Sequence, residues 1–187
     1  MRIDPKTTAL LVIDLLASSE PDTVYAPGEE EAAAHEAGIR VTRAARAAGI
    51  PVIFSNDAHI EGLDRELELW GPHGIRGKVR NLPELEAGEH EGDFIIPKRR
   101  YSGFFETDLE LTLRELGVKT IIAIGEDTNI CVLHTLADAY FLGFDTIVVE
   151  DATRTFLCGT QEAGIEHFEK CYGSVIATAD EVVEALS

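Results

Sequence analysis

The chain has 187 residues, 45% of them hydrophobic and 27% charged. That length and balance build one hydrophobic core and exclude a disordered, collagen-like or disulfide-scaffold protein. Thirty-four acidic residues against sixteen basic ones give a formal charge of −18, which repels nucleic acid and anionic membranes and closes the counterion-release route to binding them. The three cysteines, Cys131, Cys158 and Cys171, form no CxxC pair, so free thiols in a reducing compartment are expected. No apolar run approaches the roughly 20 residues of a membrane span, and residues 1–6 (MRIDPK) lack the apolar core of a signal peptide. A soluble cytoplasmic protein with no membrane or nucleic-acid partner is expected.

Residues 8–14 (TALLVID) are apolar up to the last position, as in a strand buried on both faces. An Ala-rich helix is predicted over 29–48 and ends at Gly49; its opening carboxylates, 29–31, suit a helix N-terminus. Residues 51–55 (PVIFS) and 93–97 (DFIIP) read as the second and third strands. Thr107 and Glu110 have the spacing of a capping box, opening a helix that stops at Gly117. A fourth strand over 120–125 (TIIAIG) leads to a helix capped by Thr128 and running to about Leu142. A fifth strand over 146–150, a helix over 161–170, a strand over 174–177 and a helix from Asp180 complete the pattern. Strands separated by helices imply right-handed crossovers, hence a three-layer α/β/α fold with a mostly parallel, roughly six-stranded sheet of Rossmann-like topology. One domain is expected over 1–187, interrupted by an irregular insertion at about 57–91 that carries Trp70 and His73. Long irregular insertions after a strand end are frequently functional.

Ligands of an open parallel sheet sit beyond the carboxyl ends of its strands. The polar residues there are Asp14, Asp57, Lys98 and the 125–131 turn. Each has an ordinary reading when taken singly: a turn-forming Asp, a solvated Lys, a small buried Cys. Together they supply a nucleophile, a base, a cation and oxyanion donors. A thiol at Cys131, in the first turn of a helix, is expected to have its thiolate stabilised by the helix dipole. A carboxylate beside it takes the proton, an ammonium holds the charges in place, and the turn aims its N–H groups at a developing oxyanion. Asp57 and His59 are two apart, so a bend is required before both can reach one ion.

With these residues on one rim, the sequence resembles the isochorismatase-like cysteine hydrolases, and within them the nicotinamidase-like branch, over essentially the whole chain. The resemblance rests on Val12-Ile13-Asp14, on Pro97-Lys98, on residues 101–109 (YSGFFETDL), and on the Gly125…Thr128…Cys131-Val132 turn with Ala137, Gly143 and Phe144 at the following helix end. It implies Cys131 as nucleophile, Asp14 as general base and Lys98 as the group that binds and tunes both. It also implies a non-proline cis peptide between Glu126 and Asp127, with the N–H groups of Asp127 and Cys131 as oxyanion hole. Nicotinamidases carry an Asp-x-His and a Trp-Pro-x-His stretch that bind zinc or a related divalent ion. The corresponding pieces are Asp57-Ala58-His59 and Trp70-Gly71-Pro72-His73, so the implied ligands are Asp57, His59 and His73, with positions left open for water and a substrate atom.

Trp70 and Tyr101 wall a planar ring or pack against the insertion. The sequence departs from the family at Leu15-Leu16, where Met-Gln is usual, and by having no aromatic over 17–22. This predicts weak turnover of nicotinamide and pyrazinamide and better turnover of a smaller or more aliphatic amide. Glu126-Asp127 is more acidic than the family's usual pair. Arg99-Arg100 read as a solvated pair or as the receptor of a carboxylate. Cys158 is expected to be structural, Cys171 to lie in the core, His134 in the core or at the surface, and His35, His90 and His167 at the surface. The expected function is a cysteine amidohydrolase cleaving a small planar or cyclic amide through a thioester, as a homo-oligomer, dimer or tetramer. A metal-independent isochorismatase or N-carbamoylsarcosine amidase-like hydrolase is the alternative. A non-catalytic binding module is the reading of another class, and an intact Asp14, Lys98 and Cys131 weighs against it.

Overall fold

Residues 2–17 and 29–187 are described by a computed structural model. In chain order its elements are β1 (Thr8–Ile13), α1 (Glu29–Ala47), β2 (Val52–Ser55), α2 (Glu66–Trp70), β3 (Asp93–Ile95), α3 (Leu109–Glu115), β4 (Thr120–Glu126), α4 (Leu133–Phe141), β5 (Asp145–Arg154), α5 (Gln161–Tyr172), β6 (Val175–Ala177) and α6 (Ala179–Leu186). The strands form one six-stranded parallel sheet in the order β3-β2-β1-β4-β5-β6. The chain builds outward from β1 to β3 on one side, then restarts at β4 on the other. The strand order therefore reverses between β1 and β4, and a crevice opens at their carboxyl ends.

The continuous apolar run of β1 is explained by burial on both faces. Leu10 and Val12 pack under Ala37, Val41 and Ala45 of α1 and Val182 of α6. Ala9, Leu11 and Ile13 face Leu109 and Leu113 of α3, Leu136 of α4 and Phe168 of α5. Leu11 is fully buried, so Leu11→Ala is expected to lower stability by about 2–5 kcal/mol, read from equilibrium urea unfolding. An unchanged midpoint would contradict this packing.

At its carboxyl end β4 comes so close to β1 that only glycine fits. Gly125 pairs with Ile13, has φ of 126°, and a Cβ there would run into the Ile13 carbonyl oxygen. This approach brings the residue after β1 beside the turn after β4.

Three local expectations are corrected. Thr107 and Glu110 form no capping box: the Thr107 hydroxyl donates to the Gly103 carbonyl and accepts from the Leu109 N–H, while Glu110 pairs with Arg114. A capping box does open α6, between Thr178 and Glu181. Thr128 is not the cap after β4, because its hydroxyl is committed to the Gln161 side chain at 2.9 Å. Asp127 caps instead, accepting from the Asn129 N–H at 2.8 Å, and the first turn, Thr128–Val132, is a π turn that leads into α4. Finally, β5 does not stop at 150: after a register shift it pairs again as Gly125 with Thr153 and Glu126 with Arg154.

The 57–91 insertion contains α2 and a 3₁₀ turn at Pro83–Leu85. Isolated bridges join Asp57 to Lys98, His59 to Ile75 and Leu16 to Asn81, fastening it to the sheet rim. Among the described residues, no helix is long and apolar enough to cross a membrane.

Candidate active site

Asp14, Lys98 and Cys131 meet at the β1–β4 crevice. Asp14 takes the left-handed conformation, with φ of 49°, which Asp tolerates better than most residues. Its Oδ1 accepts the Asp57 N–H at 2.6 Å, and its Oδ2 lies 2.6 Å from Lys98 Nζ. The Lys98 backbone is held on both sides, its N–H donating to Asn56 and its carbonyl accepting from Ala58. The Lys98 side chain is fully buried and its ammonium also donates to Asp57 and, at 3.5 Å, to Cys131 Sγ. The Glu126–Asp127 peptide bond, directly before the Cys131 turn, is cis.

Burial and the charge of Asp57 push the Asp14 carboxyl up to about 6, against the pull of Lys98. Burial opposes the charge on Lys98 too, but Asp14 and Asp57 outweigh it and raise the ammonium well above its ordinary value. Lys98 is therefore a permanent cation. The expectation of an activated thiolate at Cys131 is corrected: burial raises the thiol well above its ordinary value, and the Lys98 charge only partly offsets this. Cys131 rests as a thiol, so it needs a base.

Asp57, His59 and His73 converge beside this triad, with their donor atoms within 4.8 Å of one another. The required bend is provided where His59 bridges Ile75 and Gly74 passes Asp57; Gly74 has φ of 52° and a Cβ there would strike the Asp57 side chain. His59 Nε2 and His73 Nε2 lie 3.5 and 3.9 Å from Asp57 Oδ2. Donors about 2.1 Å from a shared tetrahedral ion sit about 3.4 Å apart. His73 Nδ1 is engaged by the Gly71 carbonyl at 2.8 Å, which orients Nε2 toward the group. Both ring nitrogens of His59 are buried without a hydrogen-bond partner. No sequence motif marked Glu66, whose Oε2 is also buried without a hydrogen bond, 3.5 Å from His59 Nε2. Burial and Asp57 push the Glu66 carboxyl up to about 7. Orphaned buried donors around a carboxylate fit a divalent cation.

The adjoining cleft, with about 330 Å³ of free space including its open mouth, is lined by Trp70, Tyr101, Ile130, Phe156 and Leu157 around these polar groups. Trp70 Nε1 donates to the Tyr101 hydroxyl at 3.0 Å. Phe156 and Leu157 were not legible beforehand, since the fifth strand was expected to stop at 150, whereas it runs to Arg154 and delivers them to the crevice. Asp127 holds them, its Oδ2 accepting their N–H groups at 2.7 and 3.0 Å. The acidic pair is thus explained: Asp127 ties the Cys131 turn to one cleft wall, and Glu126 faces its register partner Arg154 at 3.1 Å.

Leu15 does not wall the cleft; it is fully buried under α1. The lack of an aromatic over 17–22 concerns residues that, from 18 on, lie outside those described. Arg99 and Arg100 both receive a carboxylate from the chain itself, Asp64, at 2.5 and 3.5 Å. Cys171 is exposed rather than in the core, like Cys158. His35 is not a surface residue: it is half-buried, 3.3 Å from Glu126.

The isochorismatase domain family matches residues 8–180. A ureidoacrylate amidohydrolase RutB of Agrobacterium fabrum is 30% identical, covering 95% of this chain and 90% of that protein. Among solved structures, N-carbamoylsarcosine amidase from Thermoplasma acidophilum superposes with a TM-score of 0.82 at 30% identity, over 93% of this chain and 97% of that one. Nicotinamidase PncA from Bacillus subtilis gives 0.82 at 31%, over 91% and 99%. The chain belongs to the isochorismatase family, as an amidohydrolase acting on C–N bonds of small amides.

Proposed function

We propose that the protein cleaves a small planar or cyclic amide through a thioester on Cys131. The observation that carries this reading is the buried Lys98 ammonium, which touches the carboxylate of Asp14 and the sulfur of Cys131 together. Asp14 takes the thiol proton as Sγ attacks the carbonyl carbon. The N–H groups of Asp127 and Cys131 receive the oxyanion. Collapse breaks the C–N bond, and the nitrogen leaves as ammonia or an amine with the proton from Asp14. Asp14 then deprotonates a water that attacks the thioester, releasing the acid, and the proton returns to sulfur. Lys98 stays charged throughout and holds Asp14 in place. Trp70, Tyr101 and Phe156, all at the cleft, support a planar substrate.

Asp57, His59 and His73, with Glu66 alongside, would hold a divalent ion, zinc being the first candidate. When bound, such an ion supplies positive charge that orients and polarises a substrate atom. Purified protein is expected to contain about one equivalent, and His59→Ala to lose it, as read by elemental mass spectrometry. Full activity after complete metal removal would favour the metal-independent branch of the family. The two exposed free thiols support a reducing cytoplasm, and a homo-oligomer of this one domain completes the proposal.

An ammonia-release screen over nicotinamide, pyrazinamide, aliphatic amides and ureides tests the function. At least one is expected to be turned over. Silence across the panel from a folded, metal-replete protein would contradict it.

A further inference from the structure

Five carboxylates line the cleft, from Asp14, Asp57, Glu66, Glu126 and Asp127, and no arginine or lysine does among the described residues. Residues 18–28, which lie outside those described, contain no arginine or lysine either. The cations nearby are already committed. Lys98 is fully buried between Asp14 and Asp57. Arg154 is held by Glu126 at 3.1 Å and Glu31 at 3.7 Å, with its guanidinium 4.4 Å from the Phe156 ring centre. Arg99 and Arg100 are taken by Asp64. Glu66, only 6% exposed, lines this space, and its Oε2 has no hydrogen bond and lies 3.5 Å from His59 Nε2. A divalent ion, Lys98 and Arg154 together still fall short of the five carboxylates and Glu31. Charges this deeply placed are poorly screened by salt.

We infer that the site takes amides bearing no carboxylate and rejects anionic ones, a selection by charge that rests on the amidohydrolase reading and narrows it. A substrate carboxylate entering the cleft would lose water and, apart from the divalent ion proposed at Asp57, His59 and His73, meet no uncommitted cation, while the net charge around it stays negative. A neutral planar amide loses little by comparison and gains the aromatic walls.

Iodoacetamide, itself a small neutral amide, and its anion iodoacetate read this filter without any knowledge of the substrate. Both alkylate thiols, and the exposed Cys158 and Cys171 of the same chain serve as controls. With metal-replete full-length protein, the iodoacetamide-to-iodoacetate rate ratio at Cys131, followed by peptide mass spectrometry, is expected to exceed the control ratio by ten-fold or more. Leu157→Arg, which places a cation on the half-buried cleft wall, is expected to bring the ratio at least three-fold closer to the controls. Equal ratios at all three cysteines, or faster labelling of Cys131 by iodoacetate, would overturn the inference. A second arm compares benzamide with 3-carbamoylbenzoate, ureidoacrylate and N-carbamoylsarcosine by ammonia release. Preferred turnover of any of the three anions overturns the charge filter and leaves the amidohydrolase reading intact. A raised ratio at Cys131 with no amide hydrolysed supports the filter and sinks the amidohydrolase reading.

Discussion

Cys131→Ala is expected to reduce amide hydrolysis by a factor on the order of 10³ or more, because no other thiol lines the cleft among the described residues. The fold should barely register the change. Cys131 is 8% exposed at the rim of the sheet, and removing a sulfur there is expected to cost about 1 kcal/mol or less. The pairing of near-total inactivation with an almost unchanged urea midpoint distinguishes a nucleophile from a packing residue. A variant keeping a tenth of the activity would refute the covalent route, and one that unfolds would move Cys131 into the structural column.

Lys98→Met is expected to have the opposite profile, with large effects on both quantities. Methionine keeps most of the volume and removes the charge. Asp14 and Asp57, each 4% exposed, would then face each other without the ammonium that now touches both. Breaking a buried ion pair by removing one partner costs about 3–5 kcal/mol, so the midpoint should fall clearly. Loss of one preorganised electrostatic partner is expected to slow turnover by about 10²–10³-fold in the protein that remains folded. Removal of Asp57 as well should restore part of the stability, since the surplus negative charge goes with it. If Lys98→Met were as stable as the parent, the buried ion network would not hold the rim as described.

The meeting of Asp14, Lys98 and Cys131 was legible because each follows a strand that could be recognised by its own apolar run. Asp14 comes after LLVI, Lys98 after IIP and the Cys131 turn after TIIAI, and a parallel sheet collects such positions at one edge. The walls of the cleft were not legible for the same reason. Phe156 and Leu157 follow β5, which resumes pairing after a register shift, and no periodic pattern announces a strand that breaks and restarts. Glu66 sits in an acidic stretch of the insertion whose charged residues look alike in sequence; only the fold places it 3.5 Å from His59. Thr107 and Thr128 show the limit of capping signals. Their hydroxyls had the right spacing, but a local carbonyl, Gly103, claimed one and a distant side chain, Gln161, the other. The thiol of Cys131 shows the limit of helix-terminus reasoning: burial outweighed both the turn and Lys98.

Partition of the acyl group between water and hydroxylamine tests the thioester most directly. Hydroxylamine attacks an acyl-enzyme to give a hydroxamic acid and regenerates the thiol. An amide and an ester sharing one acyl group must pass through the same Cys131 thioester, whatever their leaving groups. The ratio of hydroxamate to acid is therefore expected to be identical for the two substrates at each hydroxylamine concentration. Ratios that differ with the leaving group, or acid formed with no hydroxamate at any concentration, would contradict the covalent intermediate and point to direct attack of water on the amide.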